Sequence, residues 1–241
     1  MDSKIPYLVK NSLEIEVYVI GYKTMGESII LFIKLDSKIV FSVVIDSYKY
    51  NGVNKTIELL KENNVDRIDY LCWSHPDDDH SRGMVDIICN FVDENTLINI
   101  PAKIDINKEN CSQSTKEVFK ELQENVKTRN KYKVYEISDI MDILGYEELF
   151  QINHNDIVYP LIMKAIAPNS NLSWQEHNNG QFHKNLHSIA FVLYFGKNTF
   201  LFTGDIENLV KLTPCATEIK SLSSSLFKFL TMAFISAFCI I

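Results

Sequence analysis

Alternating and β-branched stretches dominate the first third of the chain. Leu13-Glu14-Ile15-Glu16-Val17-Tyr18-Val19-Ile20 alternates and then turns apolar, the pattern of a strand with one covered face. Residues 21–28 form a glycine-punctuated turn. Two β-branched runs, 29–35 and 39–45, are joined by Asp36-Ser37-Lys38, which reads as a hairpin, and the second run ends at Asp46. Asn51-Gly52 signals a turn, and residues 53–63 set Ile57, Leu59 and Leu60 on an amphipathic helix that Asn64 can end. Residues 66–74 then read as a buried strand, and 83–91 as a helix packed behind it.

Beyond residue 93 the pattern weakens. Ile98-Asn99-Ile100-Pro101 reads as a strand at a sheet edge, and Ser114-Thr115-Lys116-Glu117 as a capping box opening a helix to about Arg129. Residues 132–137 and 159–168 read as further strands. The polar segment 169–184 reads as a surface loop over the mouth of a site. There is no internal repeat or low-complexity tract.

With 241 residues, 46% of them apolar and 11% aromatic, the chain can build one sizeable α/β domain, or at most two small ones. The division expected is a domain over 1–212 and an apolar tail over 213–241. A net charge of −7 argues against nucleic-acid binding by this chain alone, because phosphate contacts need a basic surface; a partner chain would have to supply it. A small phosphorylated substrate stays open, since bound metal ions bring local positive charge. The five cysteines (72, 89, 111, 215 and 239) are scattered and form no Cys-x-x-Cys pair. That usage suits a reducing compartment, and Met1-Asp2-Ser3-Lys4-Ile5-Pro6 lacks the apolar core of a signal peptide, so the expected location is the cytoplasm. Nothing in the sequence speaks to oligomeric state.

The chemistry concentrates where Tyr70-Leu71-Cys72-Trp73 stops at Ser74 and His75-Pro76-Asp77-Asp78-Asp79-His80 follows. Adjacent carboxylates repel one another unless a cation lies among them. The plain alternative is a solvated polar loop, with Asp79 or Ser81 capping a helix that runs on from Arg82. The ligand types at the end of an apolar strand favour a metal site. Imidazole and carboxylate donors suit zinc, and also manganese or iron.

That loop, followed by Gly83, resembles the His-x-His-x-Asp-His loop of metallo-β-lactamase-fold hydrolases, with Asp77 in the place of the second histidine. Downstream, Asn185-Leu186-His187-Ser188 leads through an apolar run into Thr203-Gly204-Asp205. This is similar to the Asn-x-x-Ser strand and Thr-Gly-Asp turn of the branch that contains the hydrolase-like domain of DNA-uptake (competence) proteins. Pro168 resembles the proline that precedes the family's second-half loop.

The resemblance implies an αββα sandwich and a metal-dependent hydrolase. Its attacking group would be a hydroxide bridging two ions, typically zinc, held roughly 3.5–4 Å apart. His75 and Asp77 would hold the first ion, Asp79 and His80 the second, and Asp205 would bridge them. Asp79 would also serve the catalytic water, and Asp46 would have a structural, hydrogen-bonding role. His187 stands open between a further ligand and an ordinary strand histidine, while His183 reads as a loop residue. Replacing imidazole by Asp77 adds charge and an oxygen, which leans the site towards harder ions such as manganese. The expected substrate is a phosphodiester or another ester-like small molecule; a catalytically weak or inactive scaffold is the alternative.

The family's second half continues past Thr-Gly-Asp to a closing histidine, and no histidine follows Asp205 here. The final run, Leu226 to Ile241, is 16 residues interrupted by Lys228, short of the roughly 20 that a spanning helix needs. The sequence leaves three readings of this tail open: a core helix or strand, a weak membrane anchor, and a truncated or frameshifted gene end that leaves the sandwich's second half unfinished.

Overall fold

A computed structural model of the chain describes residues 13–22, 25–104, 111–127, 132–144, 151–154, 157–179, 183–195, 198–205 and 238–240. The alternating amino-terminal stretch is strand β1 (Leu13–Gly21), paired antiparallel with β2 (Glu27–Leu35), which pairs antiparallel with β3 (Lys38–Ile45). Asp36 and Ser37 both take positive φ, 51° and 64°, as a two-residue type I′ hairpin turn requires, so Lys38 already belongs to the strand. The next turn works the same way. Asn51 and Gly52 have φ of 50° and 81° and close a bridge between Tyr50 and Val53.

Helix α1 (Lys55–Glu62) starts two residues later than the hydrophobic pattern suggests, because Asn54 caps it. The Asn54 Oδ1 accepts from the amides of Thr56 (3.1 Å) and Ile57 (3.4 Å), satisfying two of the helix's otherwise unpaired donors. Strand β4 is only Tyr70–Cys72, shorter than the expected 66–74. Ahead of it the Asp69 carboxylate accepts from the amide and hydroxyl of Ser42, both at 2.9 Å. The side chain there adds to the backbone bond from the Asp69 amide to the Ser42 carbonyl (3.2 Å).

The short helix α2 (Asp78–Ser81) and helix α3 (Met84–Phe91) follow, then strand β5 (Leu97–Pro101), helix α4 (Gln113–Lys127) and strand β6 (Lys133–Ile137). Strands β3 to β6 run parallel and complete a six-stranded mixed sheet in the order β1-β2-β3-β4-β5-β6. Two expectations need correction. β5 lies between β4 and β6, away from the sheet edge; its proline falls on the last position of the strand, where the ladder ends in any case. The α4 cap is Ser112, whose Oγ accepts from the Thr115 amide at 3.1 Å, and Ser114 lies inside the helix.

The second sheet is antiparallel, in the order β11-β10-β9-β8-β7. Its strands are β7 (Gln151–His154), β8 (Ile157–Ala167), β9 (Ala190–Phe195), β10 (Asn198–Phe202) and β11 (Phe238–Ile240). Sequence reasoning missed β7. It also took 169–184 for a loop, where helix α5 (Ser170–Asn179) stands, followed by a 3-10 turn at Lys184–His187. Within the apolar tail, β11 pairs with β10, a strand as one of the three readings has it. The stretch 206–237, on which the anchor and truncation readings also rest, lies outside the described residues. Among the described residues, no helix is long and apolar enough to cross a membrane.

The two sheets pack face to face. Leu31, Val43, Tyr70 and Cys72 from the first meet Met163, Phe191, Leu193 and Phe202 from the second. The first sheet's other face, through Phe32, Val44, Leu71 and Trp73, is covered by Leu60 of α1, Met84 and Ile87 of α3, and Val118 and Phe119 of α4. Alternation along the strands therefore feeds two cores at once, each large buried side chain contributing about 1.5–3 kcal/mol. Among the described residues the layers run helix, sheet, sheet, a mixed α/β architecture.

Asn54 does more than cap. Its Nδ2 donates to Ser47 Oγ (3.0 Å) and to the Gly83 carbonyl (3.3 Å), tying α1 to the turn before α3. Asn54→Ala should lose the cap and the Ser47 and Gly83 contacts, costing about 1–3 kcal/mol. Urea unfolding measures this; an unchanged midpoint would assign the packing around α1 to other contacts.

Candidate metal centre

Because β3 and β4 are parallel neighbours, their carboxyl ends lie side by side, and the chain leaves both at one edge of the sheet. β3 hands over at Asp46, whose φ of 57° turns its side chain inward and whose amide donates to the Cys72 carbonyl at 2.8 Å. The Asp46 carboxylate is buried. It accepts from the Ser74 amide (2.6 Å), the Ser74 hydroxyl (2.5 Å) and His80 Nδ1 (2.7 Å). Asp46 thus makes the hydrogen bonds expected of it.

A carboxylate can only accept, so His80 Nδ1 carries a proton, and Nε2 faces the other way. There it lies 3.5 Å from Asp205 Oδ2 and 3.7 Å from Asp79 Oδ2. His75 lies alongside, with ring centroids 4.1 Å apart. Its Nε2 is 3.6 Å from Asp205 Oδ2 and 3.9 Å from Asp77 Oδ2. Five of the candidates therefore converge, in two overlapping groups: His75, His80 and Asp205, and His75, Asp77 and Asp79.

Other groups hold the loop in this shape. Trp73 Nε1 donates to Ser81 Oγ (3.1 Å), Ser81 Oγ to the Asp77 carbonyl (2.5 Å), and Thr115 Oγ1 to the Pro76 carbonyl (3.1 Å). Asp78 is drawn out of the cluster, bonded by Ser114 Oγ at 2.6 Å and paired with Arg82. Mutual repulsion of the three aspartates is thereby relieved partly without an ion.

Asp205 comes from the second sheet, one residue after Gly204. Gly204 has φ of +51°, and a Cβ there would stand 2.8 Å from the Ile189 carbonyl, so the turn needs glycine. The Ile189 amide in turn donates to the Ser74 carbonyl at 2.7 Å, which ties the end of β4 to the start of β9, beside Gly204.

These distances suit an ion. Separations of 3.5–3.9 Å are too long for hydrogen bonds but close to the ~3.4 Å edge of a tetrahedral shell with ~2.1 Å bonds. His75 gives the sharpest test: both its ring nitrogens are buried without a hydrogen-bond partner. Such an orphaned polar group costs about 1–3 kcal/mol unless something binds it. The donors are imidazole nitrogen and carboxylate oxygen, so the residues fit a divalent cation.

The electrostatics divide the two histidines. Burial, reinforced by the neighbouring His80, pushes His75 down to about 3, keeping it a neutral donor. Burial also opposes charge on His80, but the carboxylates of Asp46 and Asp205 outweigh it and hold the group well above its usual range, so an ion binding at Nε2 would have to displace a proton there. Burial lifts Asp79, with Asp205 adding to the rise. For Asp205, burial acts upward, but its contacts with His80 and His75 prevail and the carboxyl is lowered.

His187 lies outside both groups. It is buried, its Nδ1 donates to the Ala102 carbonyl (3.0 Å), and its Nε2 stands 3.3 Å from Glu176 Oε2. His183, at the turn's start, bonds Glu176 Oε1 through Nδ1 at 2.5 Å. Sequence reasoning missed two residues. Lys184 Nζ is 2.6 Å from Asp77 Oδ1. Glu27, at the start of β2, feels Asp46, Asp79, His80 and Asp205, and burial pushes its carboxyl up to about 7. A glutamate directly after Gly26, opening an apolar run, was the one available signal for Glu27. No protein-family model matches the chain, and no curated protein matches it.

The Asp46–His80 bond should be a structural requirement even without metal. Asp46→Asn removes the charged acceptor while keeping the shape, and should cost about 2–3 kcal/mol. Chemical denaturation of the metal-free protein tests this; a midpoint equal to wild type would show that Asp46 does not anchor the loop.

Proposed function

We propose that the chain is a metal-dependent hydrolase of metallo-β-lactamase type, with an αββα sandwich, acting on a phosphodiester or another ester-like substrate. The observation that carries this reading is His75, a buried imidazole whose unpartnered Nε2 faces carboxylates at distances that suit a shared cation. His75 and Asp77 would hold one ion, Asp79 and His80 a second, and Asp205 Oδ2, within 3.6 Å of both Nε2 atoms, would serve both. Zinc, or manganese or iron, would supply Lewis acidity and acidify water, so no serine or cysteine nucleophile is required.

The chain's own residues do the positioning. Asp46 fixes the His80 tautomer and aims Nε2 at the cluster. Gly204 lets Asp205 reach across from the second sheet. Asp79, the most exposed of the acidic candidates with a side chain 44% accessible, can take a proton from the attacking water or orient it.

A second reading is a weak or inactive scaffold domain. It is favoured by His187, which turns towards Ala102 and Glu176 and leaves Asp79, His80 and a shared Asp205 for the second ion. Elemental analysis together with turnover on a panel of phosphodiester, thioester and lactam substrates separates the two. Bound metal and measurable phosphodiester cleavage support the hydrolase; a scaffold shows neither.

Two substitutions sharpen the test. Asp79→Ala should leave the fold intact and lower turnover by several orders of magnitude, the loss of several kcal/mol of transition-state stabilisation. Unchanged turnover would remove Asp79 from the mechanism. Asp205→Asn should reduce occupancy of both ions together, since a neutral amide bridges cations poorly. Loss of one ion alone would make Asp205 a terminal ligand, and no loss would make the Thr-Gly-Asp turn purely structural.

A further inference from the structure

We infer that Lys184 is a positioning residue for the metal centre: paired with Asp77, it offers the ion a single oxygen of a charge-neutral unit and so sets which ion is preferred. This rests on the metal centre proposed above and adds a residue to it.

The Asp77 carboxylate is divided between two neighbours. Oδ1 lies 2.6 Å from Lys184 Nζ, and Oδ2 lies 3.9 Å from His75 Nε2. With Oδ1 held by an ammonium, only Oδ2 is free to face a cation, and the carboxylate's charge is largely cancelled. Such a pair behaves much as an imidazole does, one donor atom and no net charge, although its donor is oxygen.

Lys184 is not a free-swinging surface lysine. Its side chain is 26% accessible, and it opens the 3-10 turn Lys184–His187. That turn is pinned on both sides of the residue. The His183 amide donates to Glu176 Oε2 at 3.0 Å, and His187 Nδ1 donates to the Ala102 carbonyl at 3.0 Å. The work of the buried His187 and Glu176 is therefore to hold the lysine where it meets Asp77.

Removing the ammonium has a definite direction. Asp77 would regain its full negative charge and the freedom to bind through both oxygens, which favours the harder manganese ion over zinc. Outer contacts of this kind typically alter metal affinity by about 10–100-fold. Lys184→Met should therefore raise the ratio of manganese to zinc affinity by about tenfold, and Lys184→Arg, which keeps a cation on Oδ1, should leave the ratio within about threefold of wild type.

The experiment is a competition titration of the purified full chain and both variants, with zinc or manganese chloride against a chromophoric chelator. A raised ratio in Lys184→Met, restored in Lys184→Arg, supports the inference, because a merely structural loss would weaken both ions alike. Equal ratios in wild type and Lys184→Met overturn it while leaving the metal centre standing. A wild-type chain that takes up neither ion overturns the metal centre itself, and the inference with it.

Discussion

The structure of the site depends on one buried carboxylate. Asp46 accepts three short hydrogen bonds, from the Ser74 amide, the Ser74 hydroxyl and His80 Nδ1. Burying a charge is costly unless it is fully bonded, and here the bonds come from the residue before the histidine–aspartate loop and from the loop's last residue. The same interaction that stabilises the carboxylate fixes the loop's exit from β4 and the tautomer of His80. Fold stability and ligand geometry are coupled through a single group.

The rest of the chain supplies the rigidity that this arrangement requires. Parallel pairing of β3 with β4 sets Asp46 beside Ser74. The Ile189 amide, bonded to the Ser74 carbonyl, brings the second sheet to the same edge, and Gly204 lets Asp205 follow. On the helical side, Trp73, Ser81 and Thr115 hold the loop backbone, while Asn54 and Ser47 bind the turn at Gly83. The cluster is thus supported from three directions, which keeps carboxylates and imidazoles close despite their mutual repulsion and loss of hydration.

Much of this could be read from residue order, for local reasons. The hairpin at Asp36-Ser37 and the turn at Asn51-Gly52 follow from side chains that tolerate positive φ. The candidate ligands His75 to His80 and Asp205 stood out because no packing need explains such residues at the ends of apolar strands. What could not be read depends on long-range pairing. α5 carries a polar, weakly amphipathic sequence that looks like a loop, and its buried Glu176 finds its partners only through His183 and His187. Lys184 meets Asp77 across more than a hundred residues, and Asp78 looked equivalent to its neighbours until Ser114 and Arg82 drew it away. His187 was ambiguous because its carbonyl partner, Ala102, has no side-chain signature.

The overall acidity of the chain and the neutral state of His75 have a common sense in this arrangement. Carboxylates concentrate negative potential at one strand edge, and a buried imidazole held uncharged presents a lone pair to whatever cation gathers there. The most direct test is a crystal structure of the purified protein, with anomalous diffraction measured across the absorption edge of whichever metal elemental analysis finds. The account predicts one anomalous peak beside His75 Nε2 and Asp77 Oδ2 and a second beside His80 Nε2 and Asp79 Oδ2, both facing Asp205 Oδ2 and each within about 2.0–2.3 Å of the donors it contacts. Absence of any peak in metal-supplemented crystals, with ordered water bonded to His75 Nε2 in its place, would contradict it.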